Sequence, residues 1–579
     1  MTKSYVAFAI ALIAAGLFCP AAAMNGKAAV VVQYQTGYDW EGQRKCRLVI
    51  ATIVNNEVTA NDTILRTGIG EEIIYPQFSF DGQKIAFARN VTLNGQKRVA
   101  VSVIDCNGGN LRDIAYLDMS HAEGSVITHK TSEWVHVDWP KGDWVYYFCG
   151  GSGSGDDNGP GFDCLIWRVN VNDTTERYRV ANYSADVGRF NLSANGLYCS
   201  ADPWRATYVD LSLHSAQWYQ GPMVHRFPAR NIDATLLWDD VATAALNKKE
   251  GCNSTLAPSG TIMEHFSGGH NKIDFLFWNH ATDEVVDNNQ VLGPSSPCTQ
   301  PQGVGGVCYL EIDKWLNLEQ HNLFDANISC ANSDRWVLTT VWWGQNHFSG
   351  SSFGIAIGWK DKDAVLLTNI PKSELYMEPS GKTYAMVPMY FGDLWVDGGP
   401  AAAGKLQDTT GAWVDVDPVG TLVDFHSVNK GGQSYELTMV RSPRNAKIYY
   451  TTDGTEPTAS STLYTGPLLY TGGSTKVTIK AKAISTGTPT GWTVTKFVMA
   501  NASGLQATST VSYPSRLAAV KSSYVVYDLL GNKIAQGTEF SKRERIPCGM
   551  YFVRISENGQ SVTRRLSVFS AQQATQLPQ

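Results

Sequence analysis

Two short stretches of the chain place metal-ligating side chains at the same point after an apolar segment: His265 and His270 in one, Gln345 and His347 in the other. Neutral imidazole is the commonest side-chain ligand for a transition metal, so convergence of the two stretches would hold one divalent ion. The same residues also read as loop histidines making ordinary hydrogen bonds, because no spacing motif ties them together. Trp204 and Trp343 offer flat apolar rings that could stack on sugar faces, with Arg205 beside the first as a ligand-binding cation. Other tryptophans, such as Trp139, Trp144 and Trp336, fall inside apolar segments and read as core. Asp156-Asp157-Asn158 supplies hard oxygens but without the spacing of a regular calcium loop, so a solvated insertion is the plainer reading. No nucleophile elbow, phosphate loop or zinc-protease motif is present.

The elements that would position these residues are hairpins that repeat along the chain. Tyr75 to Ala88 reads as a strand, an Asp81-Gly82 turn and a second strand, a pattern that short apolar runs around Asp-Gly specify. The same phase returns at His136 to Phe148 and at Phe190 to Cys199. It comes back more weakly at Ser254 to Met263, Asn332 to Val341 and Tyr376 to Met386. Arg98 to Ile114 supplies outer strands for the first unit. A supersecondary unit repeated six times predicts a fold built from the repeat itself.

Ser79-Phe80-Asp81-Gly82-Gln83-Lys84 and its counterparts resemble the turn that joins the two inner strands of each blade in TolB-like β-propellers. The resemblance covers about residues 28 to 425. It implies an all-β fold of six blades, or seven, over 24–425. In such a propeller, the loops after each inner hairpin converge on one mouth, where binding sites usually lie. That phase puts His265 to His270, Gly344 to His347, Asp202 to Arg205 and Tyr390 to Asp393 on one face. The His and Gln set is similar to the metal pocket of oligogalacturonate lyases, which are related propellers. That likeness implies a metal-assisted polysaccharide lyase in which the ion neutralises a uronate carboxylate and a base removes the acidified α-proton. His129, His136 and Tyr390 are the candidate bases.

After His426 the texture changes. Ala446 to Pro457, Leu463 to Pro467 and Val477 to Ala483 resemble the chitobiase/β-hexosaminidase C-terminal domain, a small β-sandwich, here assigned to 426–503. The alternation in Lys447 to Tyr450 and in Val477 to Ala483 independently predicts half-buried strands. The remaining 504–579 contains Tyr524 to Lys533, Gly549 to Ile555 and Thr563 to Leu566. It is similar to the C-terminal sorting domain of the type IX secretion system, which makes that machinery an expected partner.

Composition agrees with strands and turns. Of 579 residues 11% are aromatic, 53 are Gly and only 17% are charged; this favours sheets over helices rich in Glu, Lys and Ala. A net charge of −6 without a large basic block argues against nucleic acid as the partner. Lys3, an apolar run from Tyr5 to Phe18 and Ala21-Ala22-Ala23 read as a signal peptide cleaved after Ala23, with no later membrane-spanning stretch. In the exported chain Cys149–Cys164 and Cys298–Cys308 are the proposed disulfide staples, and the other cysteines read as buried thiols. The leading expectation is an exported, surface-associated protein that binds a glycan or a surface protein. A lyase using one divalent metal ion and an envelope scaffold are the alternatives.

Overall fold

The computed structural model describes residues 23–35, 44–68, 71–93, 95–116, 135–149, 164–183, 186–210, 215–219, 223–226, 251–267, 272–279, 284–285, 307–311, 321–323, 330–343, 351–358, 363–367, 376–377, 383–384, 386–431, 433–501, 505–507, 523–527, 533–537, 549–557 and 560–568. Among these, every regular element is a strand except one 3-10 turn at Pro400–Ala402. The chain forms two compact units, Met1–Ala507 and Thr508–Gln579.

Six antiparallel sheets of four or five strands account for most of the described residues before position 397. The second sheet shows the plan, with Ile73–Phe78, Lys84–Leu93, Gln96–Asp105 and Arg112–Tyr116 pairing in chain order. Val135–Asp138, Asp186–Leu192 and Gly251–Leu256 each begin a later sheet, and Trp336–Trp343 is an inner strand of the sixth. The first sheet breaks the order. Its edge strand is Met386–Val396, paired antiparallel with Gly26–Gln35 so that Gly26 faces Val396 and Tyr34 faces Met386. The expected pairing about Ser380-Gly381 is present but short, two residues on each side. Tyr376–Met377 pairs with Thr383–Tyr384, and the strand that follows completes the sheet begun by the first described residues.

The apolar run Ala28-Ala29-Val30-Val31-Val32 explains why this closure forms. Val30 and Val32 pack with Trp336 and Leu338, while Ala29 and Val31 pack with Ile73, Phe78 and Phe87. Alternate side chains of one strand thus enter two different cores, and all five residues are fully buried. A strand buried on both faces reads as a continuous apolar run, as this one does.

The predicted turns share one geometry. Ser79 N donates to Lys84 O at 2.8 Å, Gly82 N to Ser79 O at 2.7 Å and Lys84 N to Ser79 Oγ at 2.9 Å. Ser193 makes the same set with Tyr198 and Gly196 at 2.9, 2.8 and 3.1 Å. Gly82 at φ +68° and Gly196 at φ +67° occupy the left-handed conformation that the turn requires and that glycine adopts without a Cβ penalty.

The turns also touch one another in sequence. Trp395 Nε1 donates to Phe80 O at 3.1 Å, and Lys141 Nζ lies 5.4 Å from the Phe80 ring centroid. Lys141 N donates to Ala194 O at 2.8 Å and Ala194 N to Pro258 O at 2.7 Å. Ser259 N then donates to Asp334 Oδ1 at 3.0 Å, and Asn332 Nδ2 to Val396 O at 2.8 Å. The chain of contacts returns to the strand on which it began, so the six sheets close a ring. Residues 397–421 strap its turn end: Leu406 packs on Phe80 and Ala194, Gln407 bridges Ser333, and Lys141 Nζ donates to Val416 O at 2.7 Å.

The same unit continues into a sandwich. Leu422–Gly431 and Ser434–Ser442 pair, and the long strand Leu468–Ile484 joins them to Lys447–Thr451 and Val494–Ala500. Phe425, Leu437, Ile448, Ile479, Ala481 and Val494 are among its core. Alternation is clean in Lys447–Thr451, where Ile448 and Tyr450 are buried and Lys447 is exposed. The second unit contains one antiparallel sheet in the order Lys533–Gly537, Ser523–Tyr527, Gly549–Glu557, Gln560–Val568.

Candidate functional site

A buried acid needs something to satisfy it, and three here are met by backbone donors of a neighbouring sheet. Asp393 is fully buried and accepts from Phe78 N at 2.7 Å and from Leu394 N at 2.8 Å. Asp138 accepts from Leu192 N, and Asp334 from Ser259 N at 3.0 Å. Each carboxyl therefore ties one sheet to the backbone of its neighbour. Burial pushes the Asp138 carboxyl up to about 7, against the Leu192 N–H and with the Asp393 charge adding to the rise. Burial likewise raises Asp334 to about 7, opposed by its bonds from Ser259.

Asp138 also lines a small cavity together with Gln77, Asn191, Leu256, Pro258 and Ala331, residues contributed by five of the six sheets. Its free volume of about 20 Å³ is the order that admits one water molecule. The cavity is too small for a sugar. Of the three acids, Asp138 alone lines it.

A second cluster of buried polar groups joins ring and sandwich. Arg168, in Cys164–Asn170, is fully buried. Its Nε donates to Ser442 Oγ at 2.8 Å, and its Nη1 to Gly420 O at 2.9 Å and to Tyr146 OH at 3.0 Å. The guanidinium lies 4.2 Å from the Trp144 ring centroid, a cation–π contact that partly replaces lost hydration. Trp492 Nε1 donates to Leu197 O at 2.7 Å and its ring meets Tyr198 edge-on. At the rim Arg444 Nε pairs with Glu176 at 2.8 Å. The sandwich is thereby docked on the third and fourth sheets.

The predicted site residues fall as follows. His265 lies within the strand Ile262–Ser267, opposite Asp274, and not in a loop. Trp204 and Arg205 lie within Tyr198–Asp210, with Arg205 opposite Asp186. Trp343 ends Trp336–Trp343 opposite Ser351, and Tyr390 lies within Met386–Val396. The strands run further than the hairpin pattern implies, which moves these positions from loops to strand ends and interiors. His129, His270, Gln345 and His347 lie outside the described residues. His136 is 2% exposed, with its ring centroid 3.8 Å from that of Tyr75. It is a core residue between sheets and not an open base. Among the described residues no three His, Cys, Asp or Glu side chains are grouped to hold a metal. Likewise no helix there is long and apolar enough to cross a membrane.

Cys149 ends one strand and Cys164 begins its neighbour, Cys308 lies in Val307–Glu311, and Cys298 is outside the described residues. Cys46 and Cys199 are buried. The Cys106 thiol donates to Gly82 O at 3.2 Å, and burial pushes it up to about 11. Sequence reasoning missed Asp138, Asp334, Asp393 and Arg168 as structural centres. For Asp138, Asp393 and Arg168 the available signal was a charged residue inside an otherwise apolar strand, which needs a buried partner; Asp334 lies in the bend before Trp336–Trp343 and carries no such signal.

No curated protein sequence matches the chain. Among solved structures, TolB from Acinetobacter baumannii is similar at 15% identity and a TM-score of 0.33, over 63% of this chain and 66% of its own. The chain thus spans just under two thirds of that relative. An oligogalacturonate lyase in complex with manganese is similar at 8% identity and a TM-score of 0.29, over 59% of this chain and 85% of its own. A putative 6-phosphogluconolactonase from Bacteroides uniformis is similar at 10% identity and a TM-score of 0.28, over 62% and 88% respectively. Residues 428–495 match the chitobiase/beta-hexosaminidase C-terminal domain, a range that takes in the sandwich strands Ser434–Ser442, Lys447–Thr451 and Leu468–Ile484.

Proposed function

We propose that the closed ring is a six-bladed TolB-like β-propeller and that the protein is an exported, surface-associated binder of a glycan or protein partner. Residues 1–23 are its signal peptide, and 504–579 are a type IX secretion sorting domain. One observation carries this reading: a chitobiase-type domain is packed into the same compact unit as the ring through the buried Arg168. A module of that type held rigidly beside a concave ring suits recognition of an extended partner. The strap over residues 397–421 covers the turn end, so the recognition mouth is assigned to the opposite strand ends, where Trp343 closes its strand.

The test uses the full chain on a panel of immobilised uncharged bacterial and plant polysaccharides and on outer-membrane protein fractions. The reading expects saturable binding to a member of the panel and its loss in a Trp204→Ala, Trp343→Ala double variant that keeps its β-sheet circular dichroism. Binding that survives the double variant unchanged would remove the mouth from consideration.

A further inference from the structure

The sandwich has an outer sheet face that nothing in the binding reading uses. In Lys447–Thr451, Leu468–Ile484 and Val494–Ala500, the residues facing the core are Ile448, Tyr450, Ile479, Ala481, Val494 and Val498. Directly paired residues share a face, so the register puts Lys447, Tyr449, Lys476, Lys480, Lys482 and Phe497 together on the other side. Lys447 and Lys476 are exposed, as are Phe497 at 36% and Met499 at 50%. Lys480 and Lys482 alternate along one strand, which spaces their ammonium groups by roughly 7 Å.

The charge on this face is unlike that of the chain. The molecule as a whole has a formal charge of −6. Here four lysines meet Glu456, which is bonded to Lys482 at 2.9 Å and approaches Lys480 at 3.7 Å, and Asp453 at the strand end, which is turned onto Thr455. Lys476 Nζ sits 4.0 Å from the Phe497 ring centroid, so the cation and the apolar ring form one combined surface. A sheet face of spaced ammonium groups beside the exposed Phe497 ring suits a partner with regularly spaced carboxylates on apolar-faced rings. Duplex nucleic acid matches it less well, because phosphate readers favour arginine and this face has none among its paired residues.

We infer that this outer face of the sandwich is a docking surface for a carboxylate-bearing polysaccharide, a linear polyuronate. The surface is separate from the mouth of the ring and does not depend on it. Ammonium–carboxylate pairs on such an open surface are individually weak and screened by salt, so affinity comes from several engaged along one polymer chain.

The experiment is affinity electrophoresis of the full chain through gels containing polygalacturonate, its fully methyl-esterified form or sonicated duplex DNA. The wild-type chain is expected to be retarded by polygalacturonate alone, and less so as salt is raised. Lys447→Glu with Lys476→Glu should weaken that retardation at least about tenfold, because two attractive charges become repulsive. Glu456→Gln, which removes the acid that neutralises Lys480 and Lys482, should strengthen it. Trp204→Ala with Trp343→Ala should leave it unchanged, which separates this surface from the mouth. Equal retardation by the esterified polymer, stronger retardation by DNA, or unchanged retardation of a folded lysine double variant would each overturn the inference.

Discussion

Arg168 Nη1 donates to the carbonyl of Gly420 at 2.9 Å across 252 residues of sequence, joining an inner strand of the third sheet to the entry of the sandwich. The guanidinium is fully buried, and its compensation is three hydrogen bonds and the Trp144 ring. Arg168→Ala would leave the Gly420 carbonyl and the Tyr146 hydroxyl without that donor and open a cavity between ring and sandwich. The expected loss is about 2–4 kcal/mol, and the exposed Arg444→Ala should lose much less. Urea unfolding of both variants, with proteolysis of the 397–421 strap as a second readout, checks the difference.

The buried acids predict an unusual pH dependence. Asp138 and Asp334 keep their protons up to about pH 7 in the fold, whereas an exposed aspartate releases its own near 3.8. Between those values the folded state holds the extra protons, so stability is greatest at the acidic end and falls as pH rises through 7. The slope is on the order of 1 kcal/mol per pH unit for each group. Asp105, Asp173 and Asp453 are lowered by hydrogen bonds, from Lys84 for the first and from Thr175 and Thr455 for the others, and act only at the acid end of this window and below it. Urea midpoints measured at pH 5, 6 and 7 should decline in the wild type and decline less in Asp138→Asn.

Lys496 gives the opposite sign at higher pH. It is 2% exposed in the sandwich core, and burial lowers its ammonium to about 8 from 10.5. Above pH 8 the unfolded chain holds the proton that the folded chain has released, so stability rises between pH 8 and 10.5. Lys496→Met should abolish that rise and raise the stability of the first unit at pH 7, as read by its thermal midpoint.

Gly82 and Gly95 separate two contributions to turn strain. Both have positive φ, at +68° and +76°. A Cβ on Gly82 would come 2.4 Å from the Trp395 ring, while one on Gly95 would meet nothing within 4 Å. Gly95→Ala is expected to destabilise by about 1 kcal/mol from backbone conformation alone. Gly82→Ala adds a clash at the seam between the first two sheets and should lose about 2–4 kcal/mol in total. Chemical unfolding of the two single variants measures the gap.

Much of the fold was legible because its signals are local. Asp81-Gly82 and Asn195-Gly196 specify turns through the left-handed conformation of glycine, and the turns form with the same hydrogen bonds. The alternation in Lys447–Thr451 marked a sandwich strand for the same reason, since side chains two apart share a face. The candidate site was less legible. The repeat phase fixes where a hairpin turns but not where its outer ends stop, so Trp204, Arg205 and His265 were expected in loops and lie in strands. His136 looked like a base because of its residue type, and its packing against Tyr75 sets its role.

By itself the sequence determined the all-β character, the turn positions and the chitobiase-type module, each of which depends on residues within a few positions of one another. Only the tertiary structure decided that Met386–Val396 completes the sheet begun by Gly26–Gln35, that Asp138, Asp334 and Asp393 tie neighbouring sheets together, and that Arg168 anchors the sandwich. These contacts join residues far apart in the chain. Their partners are mostly backbone N–H and C=O groups, which every residue carries and which no sequence pattern can mark.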